Sequence, residues 1–334
     1  MPCVTRNPKE LRPSTSAPAG FAIPVLDRAA VLAAVSPMAA IDAVRDAFLA
    51  HHRGEWTMPS KVYLQAPPHG DFRAMPALGS GLAMLKWISS FPGNPAQGLP
   101  SVMGVVVVSD ARTSAPLMLL DAGAVTALRT GAVAAIAAQA LARDGARTVG
   151  IVGCGEHGAW AARCLQTAGY GPGVCMDSRE ETAAALASQL GWRAGTREEA
   201  LACDVVCCVT PGHEVVVDSA DLHPGVHLNM LGADGPGKAE AALGAVAACD
   251  LFCDEWAQAS HGGELTGAVE AGLVERAQVT DLGAVLAGAV AGRRSADAMT
   301  LFDSTGLAIQ DLAIAAAALA RHRGGDVQAQ TITL

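Results

Sequence analysis

Glycines in the run Gly153-Cys-Gly155-Glu-His-Gly158 follow an apolar stretch over 148–152 and open a helical pattern near Ala159. Such spacing could cradle a pyrophosphate. The first glycine permits a tight turn, the second lets backbone approach the phosphates, and the third lets helix pack on strand. The helix N-terminus adds free N–H groups and partial positive charge. Asp177 closes the next apolar run, 24 positions beyond Gly153, near the offset of roughly 20 residues expected for an acid on ribose hydroxyls. Its charge opposes a 2′-phosphate, so the pattern selects NAD over NADP, with Arg179 two residues on offsetting part of that charge. The alternative is a glycine-rich turn of another α/β fold, with Asp177 a solvated strand end. The order strand, turn, helix, acid favours the dinucleotide.

A dinucleotide fold names a cofactor and not a reaction, so the remaining polar residues carry the question. Lys86 sits inside the apolar run Ala83-Met-Leu-Lys-Trp-Ile-Ser89. It either snorkels from an edge strand or is held by a buried partner. Lys61 and Arg73 flank neighbouring strand-like runs, and each alone reads as a surface cation. Arg129, in Thr126-Ala-Leu-Arg-Thr-Gly131, could hold a carboxylate or a pyrophosphate. Asp234 lies in Leu231-Gly-Ala-Asp-Gly-Pro-Gly-Lys238 after an apolar run over 226–230, where carboxyl ends of parallel strands bind ligands. An Asx-turn reading of Asp234 is equally open. In Asp303-Ser-Thr-Gly306, Ser304 or Thr305 reads as an N-cap, and His261-Gly-Gly-Glu264 reads as the polar start of a helix. Cys249-x3-Cys253 has loosely metal-like spacing but lacks a His pair or second Cys pair, so no metal site is expected. Adjacent Cys207 and Cys208, like Cys175, lie in apolar runs and read as free buried thiols of a reducing cytoplasm.

The elements that must position these residues follow from periodicity. Ser36 caps an amphipathic helix, and strand-like runs over 61–65, 81–87 and 102–109 follow, separated by Pro67-Pro-His-Gly70 and Pro92-Gly-Asn-Pro95. A long Ala-rich helix is expected over 128–143. Strands over 147–153, 173–176 and 204–209 then alternate with helices over 159–167 and 180–190, which indicates βαβ units. A strand over 300–302 leads through a glycine turn to a second Ala-rich helix. The expected fold is α/β: a Rossmann-type doubly wound parallel sheet plus an N-terminal α+β domain.

Composition bounds the rest. A chain of 334 residues that is 51% hydrophobic can bury about two ordinary domains, which excludes disorder as its main state. The longest apolar runs, over 102–108 and 313–320, fall short of the roughly 18–20 residues of a membrane span. A net charge of −9 excludes an electrostatic nucleic-acid binder, while small anionic substrates remain open. Residues 1–20 carry Pro, Ser, Thr and Arg without the apolar region of a signal peptide and read as a disordered arm.

Taken together, the segments resemble the ornithine cyclodeaminase/μ-crystallin family over nearly all the chain after residue 26. The motifs are Met58-Pro-Ser-Lys-Val-Tyr-Leu64, Arg73-Ala-Met-Pro76, Leu85-Lys-Trp-Ile88, Phe91-Pro-Gly-Asn-Pro95, Gly98-Leu-Pro-Ser-Val-Met103, Ala127-Leu-Arg-Thr-Gly-Ala132, Gly232-Ala-Asp-Gly-Pro-Gly-Lys238, His261-Gly-Gly-Glu264 and Phe302-Asp-Ser-Thr-Gly-Leu-Ala-Ile-Gln-Asp311. The wording is most similar to the archaeal-type alanine dehydrogenases. The resemblance implies a substrate-binding and dimerisation domain over 21–128 plus 304–334, and an NAD-binding domain over 129–303. It implies a homodimer formed through the N-terminal domain, and a small amino-acid, keto-acid or imino-acid substrate. Lys86 would donate and accept the proton; Lys61, Arg129 and Lys86, with Arg73 beside them, would bind the substrate. Asp234 would handle the amine or water. Arg129, Thr130, Gly153, Gly155, Glu156, His157, Asp177, Ser178, Arg179, Thr210, Gly232, Ala233, Asp234 and Ser304 would line the cofactor. The implied activity is reversible NAD(H)-dependent oxidation and reduction at the Cα–N bond, with ornithine cyclodeaminase and ketimine or pyrroline-2-carboxylate reductase as alternatives. Ornithine cyclodeaminases resemble this chain around Arg73 but carry glutamate there, which suits an amino group where a guanidinium does not. Thr113-Ser-Ala-Pro116 departs from a Thr-Gly-x-Pro pattern within a turn, and Gly158 replaces a frequent alanine, a change expected to be conservative.

Overall fold

The computed structural model describes residues 20–235 and 237–333; all of the arm expected over 1–20 except Gly20 lies outside them. In chain order the elements are β1 (Ala22–Leu26), α1 (Arg28–Ala34), α2 (Pro37–His52), β2 (Val62–Ala66), β3 (Gly70–Gly79), β4 (Leu82–Ser90), β5 (Val102–Asp110), β6 (Pro116–Asp121) and α3 (Ala122–Leu141). They continue as β7 (Val149–Val152), α4 (Glu156–Thr167), β8 (Gly173–Met176), α5 (Glu180–Leu190), β9 (Arg193–Ala194), α6 (Arg197–Leu201), β10 (Val205–Cys208), β11 (His227–Met230) and α7 (Leu243–Ala247). The last are β12 (Asp250–Cys253), α8 (Trp256–Gly262), α9 (Thr266–Glu270), β13 (Val279–Asp281), α10 (Leu282–Leu286), β14 (Thr300–Asp303), α11 (Ala308–Arg323) and β15 (Gln330–Thr333).

The first sheet runs β15-β1-β6-β5-β4-β3-β2 and is mostly antiparallel, with β1 parallel to β6. Its pleat separates two faces. Met84, Lys86 and Ile88 point inward with Met75 and Val106, toward α3 and α11. Leu85 and Trp87 point outward. The second sheet runs β13-β12-β14-β11-β10-β7-β8-β9 and every pairing in it is parallel. Both its faces are covered: Val205 and Cys207 enter one apolar cluster, Val206 and Cys208 the other. That explains its unbroken apolar runs. After β7 the chain fills β8 and β9 on one side and then β10 and β11 on the other, so the β7/β10 boundary is the switch point where ligands bind.

Helix α3 begins six residues before the expected start, because Asp121 ends β6 and caps the helix by accepting from Ala124 N at 2.6 Å. It packs on α2, α4, β5 and β11 and so joins the two sheets; the expected division between 128 and 129 falls inside it. At 20 residues it is also long and apolar enough to span a bilayer, contrary to the reading of uninterrupted runs, but it is mostly buried within the protein. The C-terminal helix α11 returns to α2, α3 and β3. Ser36 caps α2 as expected, accepting from Ala39 N. The eight cysteines among the described residues are free thiols, seven of them buried.

Candidate active site

β4 lies between β3 and β5, which removes the edge-strand reading of Lys86. The side chain is 1% exposed, with Nζ 2.7 Å from Asp311 Oδ2 of α11 and donating to Thr126 Oγ1 of α3 at 3.3 Å. Burial pulls the Lys86 ammonium down to about 8, and the Asp311 charge opposes a further fall. Arg129, one turn beyond Thr126 on α3, places Nε 3.8 Å from Asp311 Oδ1, and Nε has no hydrogen-bond partner. Gly306 is left-handed, and a Cβ there would lie 2.4 Å from Arg129 Nη1, so the loop before α11 fits over the guanidinium only as glycine.

Lys61 precedes β2 and donates to Thr305 O at 2.5 Å. Burial brings it down to about 8 as well, against Asp234 and Asp254. Arg73, 8% exposed on β3, is fully engaged. Its Nε donates to Asp71 Oδ1 at 2.6 Å, its Nη1 to Asp234 Oδ2 at 2.5 Å, and it lies over the Tyr63 ring at 5.3 Å. Lys238 Nζ donates to the other Asp234 oxygen at 2.7 Å, and Tyr63 OH donates to Asp234 O at 3.0 Å. Burial alone would raise the Asp234 carboxyl, but Arg73, Lys238 and Lys61 outweigh it and hold it far below the usual range. Asp234 is therefore a permanent anion.

The glycine loop meets the tests its spacing set. Gly153 has φ 95° and a Cβ there would meet Val209 O at 2.7 Å; Gly155, the residue before α4, has open space where a Cβ would stand. Gly158 is not conservative toward alanine here, since a Cβ would lie 1.9 Å from Gly153 O. Asp177 follows β8 and accepts from Cys154 N at 2.7 Å and Arg179 N at 3.0 Å, while the exposed Arg179 side chain lies 3.7 Å away. Glu156 pairs with Arg28 of α1 at 2.5 Å. Burial and the Arg129 charge push the His157 ring down to about 4, leaving it neutral. Thr130 Oγ1 is buried without a partner. A cleft of about 500 Å³ opens beside the loop, lined by Cys154, Gly155, Glu156 and α5. An open glycine at a helix N-terminus, an acid at the next strand end and unpartnered polar atoms on α3 fit a dinucleotide.

Further along the strand ends, Thr210 follows β10, and Gly232, Ala233 and Asp234 follow β11. Ser304 and Thr305 are not N-caps: both donate to Asp254, and Leu307 precedes α11 without a side-chain cap. His261 lies in the last turn of α8 rather than at a helix start. It lines a cavity of about 270 Å³ with Ser60, Lys61, Tyr63, Gln258 and Thr305. Glu264 is buried and accepts from Glu240 N and Ala241 N. Among the described residues, no three His, Cys, Asp or Glu side chains are arranged to hold a metal. The fold thus gathers Lys61, Arg73, Lys86, Arg129 and Asp234 in one cleft, with the glycine loop and Asp177 along the neighbouring sheet. Sequence reasoning did not assign roles to Asp311, Tyr63, Asp71, Lys238, Glu240 or Asp254. Asp311 gave no signal in the sequence: one acid in the first turn of an Ala-rich helix reads as solvated, and only the fold buries it against Lys86.

The match to known proteins agrees with this geometry. The family model for the ornithine cyclodeaminase/mu-crystallin family matches residues 24–325. An alanine dehydrogenase of Archaeoglobus fulgidus is 40% identical over 298 residues, covering 87% of this chain and 92% of that protein. An archaeal alanine dehydrogenase dimer solved with NAD superposes with TM-score 0.89 at 37% identity, covering 93% of this chain and 99% of that one. The Δ1-pyrroline-2-carboxylate reductase of Thermococcus litoralis, solved with NADH and L-proline, superposes with TM-score 0.88 at 25% identity, covering 92% and 100%. With the family model spanning most of the chain and both sheets reproduced, the protein belongs to the ornithine cyclodeaminase/mu-crystallin family.

Proposed function

We propose that this protein is an NAD(H)-dependent oxidoreductase acting at the Cα–N bond of a small α-amino acid, in the manner of an alanine dehydrogenase. The observation that carries the reading is Lys86, a buried ammonium brought down to about 8 and held between Asp311 and Thr126 with Arg129 and Lys61 nearby. The nicotinamide, when bound, gives or takes the hydride at Cα. Lys61 and Arg129 hold the substrate carboxylate, which fixes Cα in position. In the reductive direction the Lys86 ammonium polarises the carbonyl or imine and supplies the proton; in the oxidative direction the neutral amine receives it. Asp234 stays ionised throughout, so it orients the amine or water by accepting hydrogen bonds and is not the proton source. Asp177 selects NAD over NADP. Arg73, with its donors on Asp71 and Asp234, serves this anion more directly than the substrate.

We further propose a homodimer through the outer face of the first sheet. Val62, Ala74, Trp87 and Val105 form one cross-strand row there, flanked by Leu64, Leu85 and Met103. Except for Ala74, each of these side chains is more than a third exposed. A contiguous apolar face of this kind marks an interface. Trp87→Asp and Leu85→Asp together should convert a dimer into a folded monomer by light scattering; an unchanged mass would place the interface elsewhere.

The reaction is tested by nicotinamide absorbance in separate mixtures. NADH should be consumed with pyruvate and ammonium, and no proline should form from ornithine and NAD. Proline and ammonia formed without net NADH change would establish a cyclodeaminase instead, and NADH consumed only with a cyclic imine would establish an imine reductase. The pH dependence isolates Lys86. Reductive kcat/KM should fall as pH rises through about 8, when the ammonium is lost. Asp311→Asn removes the charge that raises the Lys86 pKa, so the falling limb should move to lower pH. A limb that stays in place would assign the proton to another group.

A further inference from the structure

Glu240 and Glu264 are buried acids that the mechanism above does not use. The Glu240 carboxylate accepts three hydrogen bonds from two strand ends. Thr210 N at 2.6 Å and Thr210 Oγ1 at 2.7 Å reach Oε1, and Gly232 N at 2.7 Å reaches Oε2. The approach is too close for any side chain at 232: a Cβ there would lie 2.3 Å from Thr210 O and 2.6 Å from Glu240 Cδ. The glycine loop rests on the same segment, with Gly153 against Val209 O and Thr210 N.

The peptide of Glu240 is itself pinned. Val216 N and Val217 N donate to its carbonyl at 2.7 and 3.0 Å, while its own N–H, with that of Ala241, donates to Glu264. No lysine, arginine or histidine lies within ion-pair distance of either carboxylate among the described residues. Burying an acid costs stability when its nearest cation, here Lys238, is engaged by another carboxylate, and the three donors that Glu240 satisfies offset part of that cost. Its retention is explained by what it holds.

Resting on the NAD(H) reading, we infer that Glu240 is a positioning residue. It fixes the gap between Thr210 and the Gly232–Asp234 loop, strand ends that would line the bound dinucleotide, with Glu264 as its anchor. Glu240→Gln keeps an acceptor for Thr210 but presents an amide N–H to Gly232 N, so the β11 loop must move.

The test uses the full-length protein with NADH fluorescence titration, steady-state kinetics and thermal unfolding. Glu240→Gln should weaken NADH binding at least tenfold and lower kcat. KM for the keto acid should stay within threefold and the unfolding temperature within a few degrees. Glu240→Asp, which keeps the charge, should recover part of the loss. Glu264→Gln should act in the same direction more weakly, adding little on top of Glu240→Gln, and it serves alone if the Glu240 variants do not fold. A folded Glu240→Gln protein with NADH affinity and kcat within twofold of the parent overturns the inference while leaving the NAD(H) reading intact. A parent that binds no NADH overturns both.

Discussion

The buried ion pair between Lys86 and Asp311 is the constraint around which the rest of the molecule is arranged. Neither charge reaches water, and the two are carried by a central strand of a sheet and by an Ala-rich helix. Taking two such charges out of water costs several kcal/mol each, and their attraction offsets that only with good geometry and further hydrogen bonds. The sequence therefore has to supply a third element, α3, with Thr126 on one side of the pair and Arg129 on the other. It also has to bring α11 back from the end of the chain to the first sheet. That return path explains why the dinucleotide half is an insertion within the other half rather than an appendage to it.

The second anion, Asp234, joins the halves by a different route. It belongs to the strand ends of the parallel sheet but is held by Arg73 and Tyr63 of the antiparallel one. Exposed ion pairs elsewhere between the halves, such as Arg28 with Glu156, are worth about 0–1 kcal/mol. Removing one member of a buried pair typically costs about 3–5 kcal/mol. The Arg73–Asp234 pair, with side chains 9% and 32% exposed, lies between these limits, and the packing of α3 on elements of both sheets adds to the registration. On the proposed mechanism the charged groups divide the labour: Lys86 moves the proton, Lys61 holds the substrate carboxylate, and Asp234, kept ionised by its cations, orients.

Much of the parallel sheet was legible because each buried strand is a short apolar run bounded by polar or glycine residues, and β8 and α5 fall on their expected residues. β1, β6 and β15 were not. β15 is wholly exposed and carries no pattern, and β6 hides behind the helix that Asp121 caps at its end. At the site, Lys86 stood out because a lysine in an apolar strand demands an explanation. Its partner did not, since Asp311 lies 225 positions away and one acid on an Ala-rich helix reads as a solvated face. Ser304 and Thr305 look like caps locally, and only the fold shows them bound to Asp254. Arg73 alone reads as a surface cation and the resemblance sets it among the substrate ligands; the acids on its donors, Asp71 and Asp234, come together only through the sheet and the domain contact.

On the proposed mechanism the Lys86–Asp311 pair is kept for proton transfer and not for stability. The direct measurement is the double replacement Lys86→Met with Asp311→Val, followed by denaturant unfolding and NADH-linked turnover on the same preparation. Apolar residues in place of the pair should leave stability within about 1 kcal/mol of the parent or above it, because desolvation no longer has to be offset. Turnover should be lost. A protein destabilised by about 3–5 kcal/mol, of the size seen when a buried pair is broken, yet turning over within tenfold of the parent would show that the pair holds the fold together and that the proton moves elsewhere.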